Sequence, residues 1–370
     1  MKTNQELEQY LSNGVDNIVK GIMRASFINP QAAMFMARYA VSSKKAKAKR
    51  AAAENEGKHI PPFLIASITH QCNLHCKGCY ARANNSCTDA CGHSELDGLL
   101  TENEWSNVFR QASDMGIEFI LLAGGEPFVR KDVITEAGCH SNILFPIFTN
   151  GTMIDQDYMH ILEKNRNLLP VISIEGNEKT TDARRGQGVY QTLQETMAEL
   201  HRRGIIFGAS VTVTKANMQE VMAEDFIETL KNAGAKAIIY VEYVPVDKNT
   251  EVLALDDESR DEMMTRLDQV REAVPEMVFI AFPGDEKTSG GCLAAGRGFF
   301  HINARGGAEP CPFSPYSDTN IKNVSLMDAL QSPLFRALQD GGALVAEHTG
   351  GCVLFEQQEQ VEAILKEKTA

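Results

Sequence analysis

The sequence lacks both a long apolar run and an excess of basic residues. Crossing the hydrocarbon core of a bilayer takes about 20 consecutive apolar residues, and no stretch of roughly 18 or more is present, so no membrane-spanning helix is predicted. Lys and Arg number 36 against 49 Asp and Glu, which gives a formal net charge of −13. Because nucleic-acid binding needs a basic face that displaces counterions from phosphates, we expect no nucleic-acid partner.

Low-complexity tracts and internal sequence repeats are also missing. Hydrophobic residues make up 43% and charged residues 23% of the 370 positions, a globular composition that excludes collagen-like and disordered chains. Residues 1–20 are polar and acidic and do not match a secretory signal, so we expect a cytoplasmic protein. Thiols stay reduced in the cytosol, where clustered cysteines indicate metal binding or catalysis.

Residues 1–59 are predicted to form a helical extension. The helix is interrupted at Asn29-Pro30, because the residue before a proline avoids the helical region. The second half ends in a basic stretch, for which there are two interpretations. One is a peripheral membrane or partner-binding helix. The other, which we favour, is a helix packed on the main domain with its basic end in solvent. The basic residues are Lys44, Lys45, Lys47, Lys49 and Arg50.

Residues 60–283 alternate between apolar strand-like runs and helical stretches. Repeated βα units with buried apolar strands indicate a parallel sheet. Six or seven units predict an α/β fold, a partial (β/α)6-type TIM barrel, with the active site at the carboxyl ends of the strands. The predicted strands are Phe63–Ile68, Phe119–Leu122, Phe145–Phe148, Val171–Ile174, Phe207–Val213, Ile238–Val244 and Val278–Phe282.

Residues 284–370 are predicted to form a small module that contains cysteine. A hairpin is expected to turn at Arg305-Gly306-Gly307, because glycine permits the positive φ that tight turns need. Ser325 is expected to cap a helix, and Ser332-Pro333 to restart it, since proline suits the first turn of a helix and not its interior.

Three cysteines follow the first predicted strand within eight residues, as Cys72-x3-Cys76-x2-Cys79. Three thiolates on one loop can hold a single iron–sulfur cluster, and because a cubane has four irons, one iron is left without a protein ligand. An open metal position is where a substrate or cofactor can bind, as in catalytic zinc sites. Zinc fingers favour paired C-x2-C units, which this spacing does not provide.

Two further motifs lie at the ends of later strands. Gly124-Gly125-Glu126-Pro127 comes after the second predicted strand, and Ser173-Ile174-Glu175-Gly176 ends the fourth. Paired glycines let a ligand approach the backbone closely, and a carboxylate can receive an ammonium group. Taken alone, the first motif would indicate only a β-turn.

With these motifs in this order, the sequence over about residues 60–250 resembles the radical S-adenosylmethionine (SAM) superfamily. The resemblance implies an enzyme that reductively cleaves SAM at a 4Fe-4S cluster to a 5′-deoxyadenosyl radical, which abstracts hydrogen from an organic substrate. Cys72, Cys76 and Cys79 would bind the cluster, and the amino and carboxyl groups of SAM would bind its fourth iron. A flavodoxin or ferredoxin would be the electron donor.

The resemblance also implies which residues bind SAM. They are Tyr80 for the adenine, Gly124, Gly125, Glu126 and Pro127 for the methionine amino group, Ser173 and Glu175 for the ribose, and Arg185 for the carboxylate. Many relatives carry Asp where Glu175 stands, so Ser173 is the better supported of that pair. Arg185 is preferred over Arg184 because it directly precedes a glycine, and a surface arginine is the alternative.

Cysteines of the C-terminal module resemble the opening of SPASM and Twitch domains. Cys292-x13-Gly306-x4-Cys311 carries the resemblance, and only Cys352 follows. The resemblance implies one auxiliary 4Fe-4S cluster held by Cys292, Cys311 and Cys352, in a Twitch-like or truncated SPASM-like module. The fourth ligand stays open between an unliganded iron, a non-cysteine ligand, and one of three other cysteines. Those three are Cys87, Cys91 and Cys139, and the first two are equally well explained as structural thiols, whereas Cys139 is expected to pack within a helix.

The substrate and the catalytic acid or base are not determined by these motifs. His70, His75 and His301 lie near them, but none stands out as a general base. Glu242 and Tyr243, at the sixth strand end, are expected on the substrate side. We favour a peptide or protein side chain as the substrate. The alternatives are radical oxidation or rearrangement of a small molecule or a lipid, and a non-catalytic iron–sulfur or zinc-binding protein.

The cysteine pattern leads to a direct prediction of metal content. After anaerobic reconstitution the chain should hold about eight irons, falling to about four in the Cys72→Ala/Cys76→Ala/Cys79→Ala variant, because each set of three cysteines holds one cubane. Iron and acid-labile sulfide per chain are the quantities to measure. Four irons falling to none would reject the auxiliary cluster, and zinc in place of iron would reject both clusters.

Overall fold

The structure is a computed structural model that describes residues 4–26, 29–89, 98–282, 290–345 and 352–369. Within these ranges no helix combines the length and apolar character needed to cross a membrane. The strands are β1 (Phe63–Thr69), β2 (Gln71–Cys72), β3 (Thr88–Asp89), β4 (Phe119–Gly124), β5 (Phe145–Thr149), β6 (Leu168–Ser173), β7 (Gly208–Val213), β8 (Ala237–Glu242), β9 (Val278–Phe282), β10 (Phe299–Ile302), β11 (Gly307–Glu309) and β12 (Thr319–Asn320).

Fifteen α-helices lie in the described residues, and the longest two come first. The helices are α1 (Asn4–Ser26), α2 (Pro30–Asn55), α3 (Tyr80–Ala83), α4 (Glu102–Met115), α5 (Lys131–Cys139), α6 (Gln156–Lys164), α7 (Glu178–Arg185), α8 (Val189–Arg202), α9 (Met218–Val221), α10 (Glu224–Asn232), α11 (Asp257–Ala273), α12 (Leu326–Leu330), α13 (Pro333–Asp340), α14 (Val353–Glu356) and α15 (Gln358–Thr369). The predicted break between α1 and α2 is confirmed, because the Asn29 side chain accepts the amides of Gln31 and Ala32 and thereby caps α2.

One mostly parallel sheet contains ten of the twelve strands, in the order β12-β11-β10-β1-β4-β5-β6-β7-β8-β9. In this spatial order, each neighbouring pair from β10-β1 to β8-β9 is parallel. Strands β11 and β12 are added antiparallel at the edge next to β10. Seven strands come from the βα repeat, one more than a six-unit barrel has. The sequence places β10 in the C-terminal module, yet it pairs with β1, so both parts of the chain share one sheet. The proposed boundary at 283/284 lies outside the described residues.

The two faces of β1 have different roles. Leu64, Ala66 and Ile68 are fully buried in the main core beneath the helices. Alternation along the strand turns Phe63 to the opposite face, where its ring stacks on that of Phe119 at 5.0 Å. An aromatic layer therefore lies at the amino ends of the strands, away from the edge where the motifs stand.

Helices α1 and α2 close this amino-terminal end of the sheet. Val15 and Val19 of α1 and Met36 and Tyr39 of α2 form one buried cluster with strand-start residues, including Phe119. This confirms the packed interpretation of the helical extension. The apolar residues of this cluster are covered by protein, whereas Met34 and Val41 elsewhere on α2 are 54% and 56% exposed.

The basic end of α2 is not wholly in solvent, which corrects the expectation for Arg50. Its side chain is 1% exposed and bonds the Glu118 carboxylate at 2.6 Å, with Glu8 at 3.3 Å. The Arg50 guanidinium also donates to the Gly116 carbonyl oxygen at 2.7 Å. Burial raises the pKa of Glu118, although the charge of Arg50 opposes that shift. The Arg50–Glu118 ion pair therefore holds α2 against the residues that precede β4.

Replacement of Arg50 by Ala should destabilise the fold. Removing one partner of a buried ion pair leaves the other charge unpaired and costs about 3–5 kcal/mol. Urea unfolding followed by circular dichroism measures the loss. Lys45→Ala is the matched control on an exposed position of the same basic stretch and should change stability by about 0.5 kcal/mol or less. Equal stability of the two variants would contradict the role of Arg50.

Candidate active site

The cysteine loop leaves the carboxyl end of β1 and leads into α3. Cys72, Cys76 and Cys79 are each partly buried. The sulfur of Cys72 accepts the Leu74 amide at 3.5 Å and the Asn150 side-chain amide at 3.9 Å. A hydrogen bond with the Cys87 thiol is the main reason that the pKa of Cys72 falls to about 6, and the pKa of Cys87 rises correspondingly. Donors around Cys72 therefore favour its thiolate, the form that binds metal.

Cys87 thus belongs beside the cysteine triplet. It is 8% exposed, and its thiol hydrogen-bonds with Cys72. The sequence left the role of Cys87 open, because its neighbour depends on the pairing of β2 with β3, which brings Thr88 against Gln71. Cys91 lies outside the described residues. Cys139 is exposed at the end of α5, so the expectation that it packs in the interior is wrong.

Gly124 and Gly125 are needed because two backbone segments nearly touch. The amide of Gly125 donates to Thr69 O at 2.9 Å, and the amide of Glu126 donates to Gln71 O at 2.8 Å. A Cβ atom at either glycine would overlap the carbonyl oxygen of Thr69 or Gln71, and Gly124 has a φ of 130°. The sequence interpretation assigned this close approach to a ligand. In the structure, the neighbour is the strand that leads into Cys72.

Glu126 connects this motif to the end of β5. Its carboxylate is 1% exposed and accepts the Thr149 hydroxyl and the Asn150 amide, both at 2.7 Å, and the Phe128 amide at 3.0 Å. Burial raises the pKa of Glu126 to about 7, although these donors favour the charged form. Glu126 therefore holds Asn150, whose side chain donates to the sulfur of Cys72. Pro127 begins the short 3-10 helix Pro127–Val129 that follows.

Glu175 pairs with both candidate arginines. Its carboxylate is 1% exposed and accepts Arg184 at 2.5 Å and Arg185 at 2.5 Å and 2.9 Å. Burial opposes ionisation, but the charges of Arg184 and Arg185 hold the pKa of Glu175 below its usual value. Ser173, the other candidate at this strand end, shares a hydrogen bond of 3.0 Å with Ser210 on β7. Neither arginine is a solvated surface residue.

The same arginines attach to the cysteine loop. Lys77 donates its amide to Arg184 O at 2.8 Å, and the Arg184 side chain donates to Lys77 O at 3.2 Å. Burial raises the pKa of Cys76, and the charges of Arg185 and Arg184 partly offset the rise. The arrangement brings two positive charges, one buried carboxylate and the middle cysteine of the triplet together.

Glu242 and Tyr243, at the carboxyl end of β8, contact different parts of the structure. Tyr243 is buried against Gly78 of the cysteine loop, where an added Cβ would lie 2.6 Å from its hydroxyl, so Gly78 allows this packing. Glu242 instead bonds Arg260 of α11 on the helix side, at 2.7 Å. The expectation that Glu242 faces the substrate side is therefore wrong, because successive residues of a strand point to opposite faces.

Tyr80 and the C-terminal module meet beside the cysteine loop. The Tyr80 ring contacts Phe313 with centroids 4.8 Å apart, and burial raises the pKa of Tyr80. Cys311, two residues before Phe313, is near enough to add to that shift. The module therefore forms part of the wall around the candidate site.

Backbone bonds and helix packing bring the segments of the three C-terminal cysteines together. Cys292 donates its amide to Leu344 O at 2.8 Å, and Ala295 donates to Pro310 O, next to Cys311, at 3.1 Å. Cys352 is the N-cap residue of α14, which packs against the 3-10 helix that contains Leu344. In the described part of the chain, no three His, Cys, Asp or Glu side chains are grouped as ligands of a single metal ion.

A model of the radical SAM superfamily matches residues 66–233 of this chain. These residues include the cysteine loop, the Gly-Gly-Glu-Pro motif, Glu175 and both arginines. Residues 66–233 of the chain belong to the radical SAM superfamily. The chain is therefore an enzyme of a family whose members use an iron–sulfur cluster and SAM.

Relatives with known roles align over different fractions of their length. The AdoMet-dependent heme synthase of Methanosarcina barkeri is 27% identical over 308 residues, which cover 75% of this chain and 85% of that protein. The Fe-coproporphyrin III synthase of the same organism is 24% identical over 230 residues, which cover 61% of this chain and 55% of that protein. The subtilosin biosynthesis protein AlbA of Bacillus subtilis is 25% identical over 288 residues, 75% of this chain and 61% of AlbA. The chain thus spans little more than half the length of two of these relatives.

Solved structures share the fold of this radical SAM protein. Streptococcus suis SuiB bound to the precursor peptide SuiA superposes with a TM-score of 0.62 and 19% identity, over 85% of this chain and 74% of SuiB. Native anSMEcpe with bound AdoMet gives a TM-score of 0.58 and 15% identity, over 82% of this chain and 95% of that one. At these identities the likeness shows the mixed α/β fold with its mostly parallel sheet.

The residues of the cysteine loop fit an iron–sulfur cluster. The iron atoms of a cluster take thiolate ligands, and the ligating sulfurs accept N–H hydrogen bonds, of which Cys72 receives two. A cubane binds each cysteine through a different iron, which spaces the thiolates more widely than ligands of one ion. The donor set is thus chemically suited to the family cofactor.

Gly125→Ala should disturb iron binding at the cysteine loop without unfolding the chain. The added methyl group would displace Gln71 O and hence the backbone that carries Cys72. We expect the iron content after reconstitution to fall from about eight toward about four atoms per chain. The control is Gly14→Ala, whose methyl group would meet no atom within 4 Å. Full iron content in a folded Gly125→Ala protein would contradict this role.

Proposed function

We propose that this radical SAM enzyme binds its catalytic 4Fe-4S cluster through Cys72, Cys76 and Cys79 and abstracts hydrogen from a substrate beside that loop. The observation that carries the proposal is that the loop is bonded directly to the Gly-Gly-Glu-Pro motif and, through Arg184, to Glu175 of the second motif. Gln71 O accepts the Glu126 amide, and Lys77 exchanges two hydrogen bonds with Arg184. When bound, the cluster and SAM supply the electron transfer that cleaves SAM to a 5′-deoxyadenosyl radical.

The chain's own groups would hold SAM by charge and hydrogen bonding. Arg185 is our candidate for the SAM carboxylate, since its guanidinium lies near Cys76 and a buried carboxylate keeps it oriented. Ser173 would offer its hydroxyl to the ribose, and Tyr80 its ring to the adenine. The amino group would meet the motif Gly124 to Pro127. Because Glu126 already accepts three hydrogen bonds, we infer that it chiefly positions Asn150 and Cys72, and Glu175 likewise positions the arginines.

We infer that residues 284–370 form a Twitch-like or truncated SPASM-like module with one auxiliary 4Fe-4S cluster. Backbone bonds join the segments of Cys292 and Cys311 to their neighbours, and α14, which follows Cys352, packs against the 3-10 helix bonded to Cys292, and these contacts support the inference. Residues 60–283 would then be the radical SAM barrel and residues 1–59 its helical closure. The contact of Cys87 with Cys72 argues against Cys87 as the fourth auxiliary ligand.

A peptide or protein side chain is the substrate that we propose first. AlbA is named for the biosynthesis of the bacteriocin subtilosin, and the SuiB fold is seen with a precursor peptide bound. Phe313, whose ring contacts Tyr80, provides an aromatic surface beside the cysteine loop for a substrate side chain. A flavodoxin or ferredoxin would supply the electron.

A tetrapyrrole is the second candidate, favoured by length. The heme synthase aligns over 85% of its own chain, whereas AlbA aligns over 61% of its own. The region that this chain matches therefore includes most of the heme synthase. A lipid substrate loses support, because Val15 and Val19 of α1 and Met36 and Tyr39 of α2 are buried against the starts of the strands.

Reductive SAM cleavage tests the proposed function. The reconstituted chain with dithionite and SAM should release 5′-deoxyadenosine, and Cys76→Ala should reduce the rate by about 10²-fold or more, because cleavage requires the cluster. Cys139→Ala, at an exposed cysteine, is the matched control and should retain the wild-type rate. Absence of 5′-deoxyadenosine from wild-type protein would reject the function.

Substrate class is tested in the same assay. Peptides encoded beside the gene and Fe-coproporphyrin III are added in separate reactions. The true substrate should accelerate the release of 5′-deoxyadenosine, and its own mass should change. Stimulation by the porphyrin alone would replace the peptide proposal by the tetrapyrrole one.

A further inference from the structure

A hydrogen-bonded row of three side chains crosses β1, β10 and β11. The hydroxyl of Ser67 lies 2.7 Å from Nε2 of His301, and Nδ1 of His301 lies 2.7 Å from the Glu309 carboxylate. Strand register produces the row, because His301 is paired with Ile65 on one side and directly with Glu309 on the other. Neither His301 nor Glu309 was singled out as a site residue from the sequence, since their register depends on the pairing of the C-terminal hairpin with β1.

The bonds determine which nitrogen of His301 can accept a proton. An ionised carboxylate only accepts hydrogen bonds, so Nδ1 carries hydrogen and donates it to Glu309. Asn303 donates to the other Glu309 oxygen at 2.5 Å and holds the carboxylate in place. Nε2 is therefore the acceptor, and Ser67 donates its hydroxyl hydrogen to it. The remaining lone pairs of the Ser67 oxygen are left to accept a hydrogen bond from a ligand.

The row borders a cavity that also reaches the candidate SAM residues. The cavity has a volume of about 380 Å³, and its lining includes Ser67, Thr69, Tyr80, Gly124, His301 and Glu309. Gly124 belongs to the Gly-Gly-Glu-Pro motif, and Tyr80 follows the last cysteine of the triplet. Ser67 is partly exposed, whereas His301 and Glu309 are 4% and 5% exposed. A ligand in the cavity would thus meet Ser67 first, with the other two groups behind it.

We propose that Ser67, His301 and Glu309 form a proton-accepting relay for the substrate, and that this cavity takes a substrate group bearing an O–H, N–H or S–H bond next to the reacting carbon. This inference rests on the proposed function. Loss of a hydrogen atom from that carbon makes the neighbouring O–H, N–H or S–H bond more acidic. Its proton then passes to the Ser67 oxygen while the Ser67 proton passes to Nε2 of His301. The substrate becomes a radical anion, His301 becomes an imidazolium, and the negative charge of Glu309 stabilises it.

An activated serine can be detected without knowing the substrate. A phosphonofluoridate probe reacts when the serine oxygen forms a bond to phosphorus, fluoride leaves, and the serine proton goes to the histidine. The reconstituted full-length protein is treated anaerobically, and adduct formation is followed by peptide mass spectrometry. Ser86 is the internal control, because it also lines the cavity but bonds the Ala81 carbonyl oxygen and the Asn84 side chain instead of a histidine.

We expect labelling at Ser67 and not at Ser86, and a rate about 10²-fold lower in His301→Gln, since the general base is lost. Ser67→Ala should remove the adduct from its peptide, which verifies the site. Equal labelling of both serines, no labelling of Ser67, or an unchanged rate in His301→Gln would each overturn the relay. SAM cleavage by the wild-type protein is measured in parallel. Its absence would reject the proposed function while the labelling result would still stand, so the two failures are distinguishable.

Discussion

Two hydrogen bonds between backbone segments position the candidate active site. They join the amides of Gly125 and Glu126 to the carbonyl oxygens of Thr69 and Gln71, where β1 passes into the cysteine loop. A side chain on Gly124 or Gly125 would force these segments apart. The distance between the Gly-Gly-Glu-Pro motif and Cys72 is therefore set by the backbone. Other contacts, such as that from Glu126 through Asn150 to Cys72, depend on this one.

Buried charges add a second level of organisation. Glu175 is almost inaccessible to solvent, and burial of a lone carboxylate is costly unless positive charges compensate for it. Arg184 and Arg185 provide that compensation, and their positions tie the fourth strand of the repeat to the cysteine loop. The arginines thus contribute to the fold as well as to the candidate site. At the opposite end of the sheet, Arg50 and Glu118 form a comparable pair that has no part in the site.

The C-terminal part of the chain contributes strands directly to the main sheet. Its first strand pairs with β1, which brings His301 and Glu309 into line with Ser67. Phe313 of the same module contacts Tyr80, next to the cysteine triplet. A cavity bounded by both parts of the chain follows from this pairing. The chemistry proposed for the substrate therefore depends on residues separated by more than half of the sequence.

Local signals in the sequence determined most of the elements. Apolar runs predicted the seven strands of the repeat to within a few residues, and Asn29-Pro30, Ser325 and Ser332-Pro333 predicted helix ends that the structure confirms. The spacing of Cys72, Cys76 and Cys79 indicated a cluster-binding loop, because those three residues are close along the chain. Tertiary structure alone decided that Glu126 holds Asn150, that Glu175 takes both arginines, that Cys87 reaches Cys72, and that His301 joins Ser67 to Glu309. Each of these contacts joins different segments of the chain and depends on strand register or side-chain direction, and a one-residue change in register reverses the direction of every side chain on a strand.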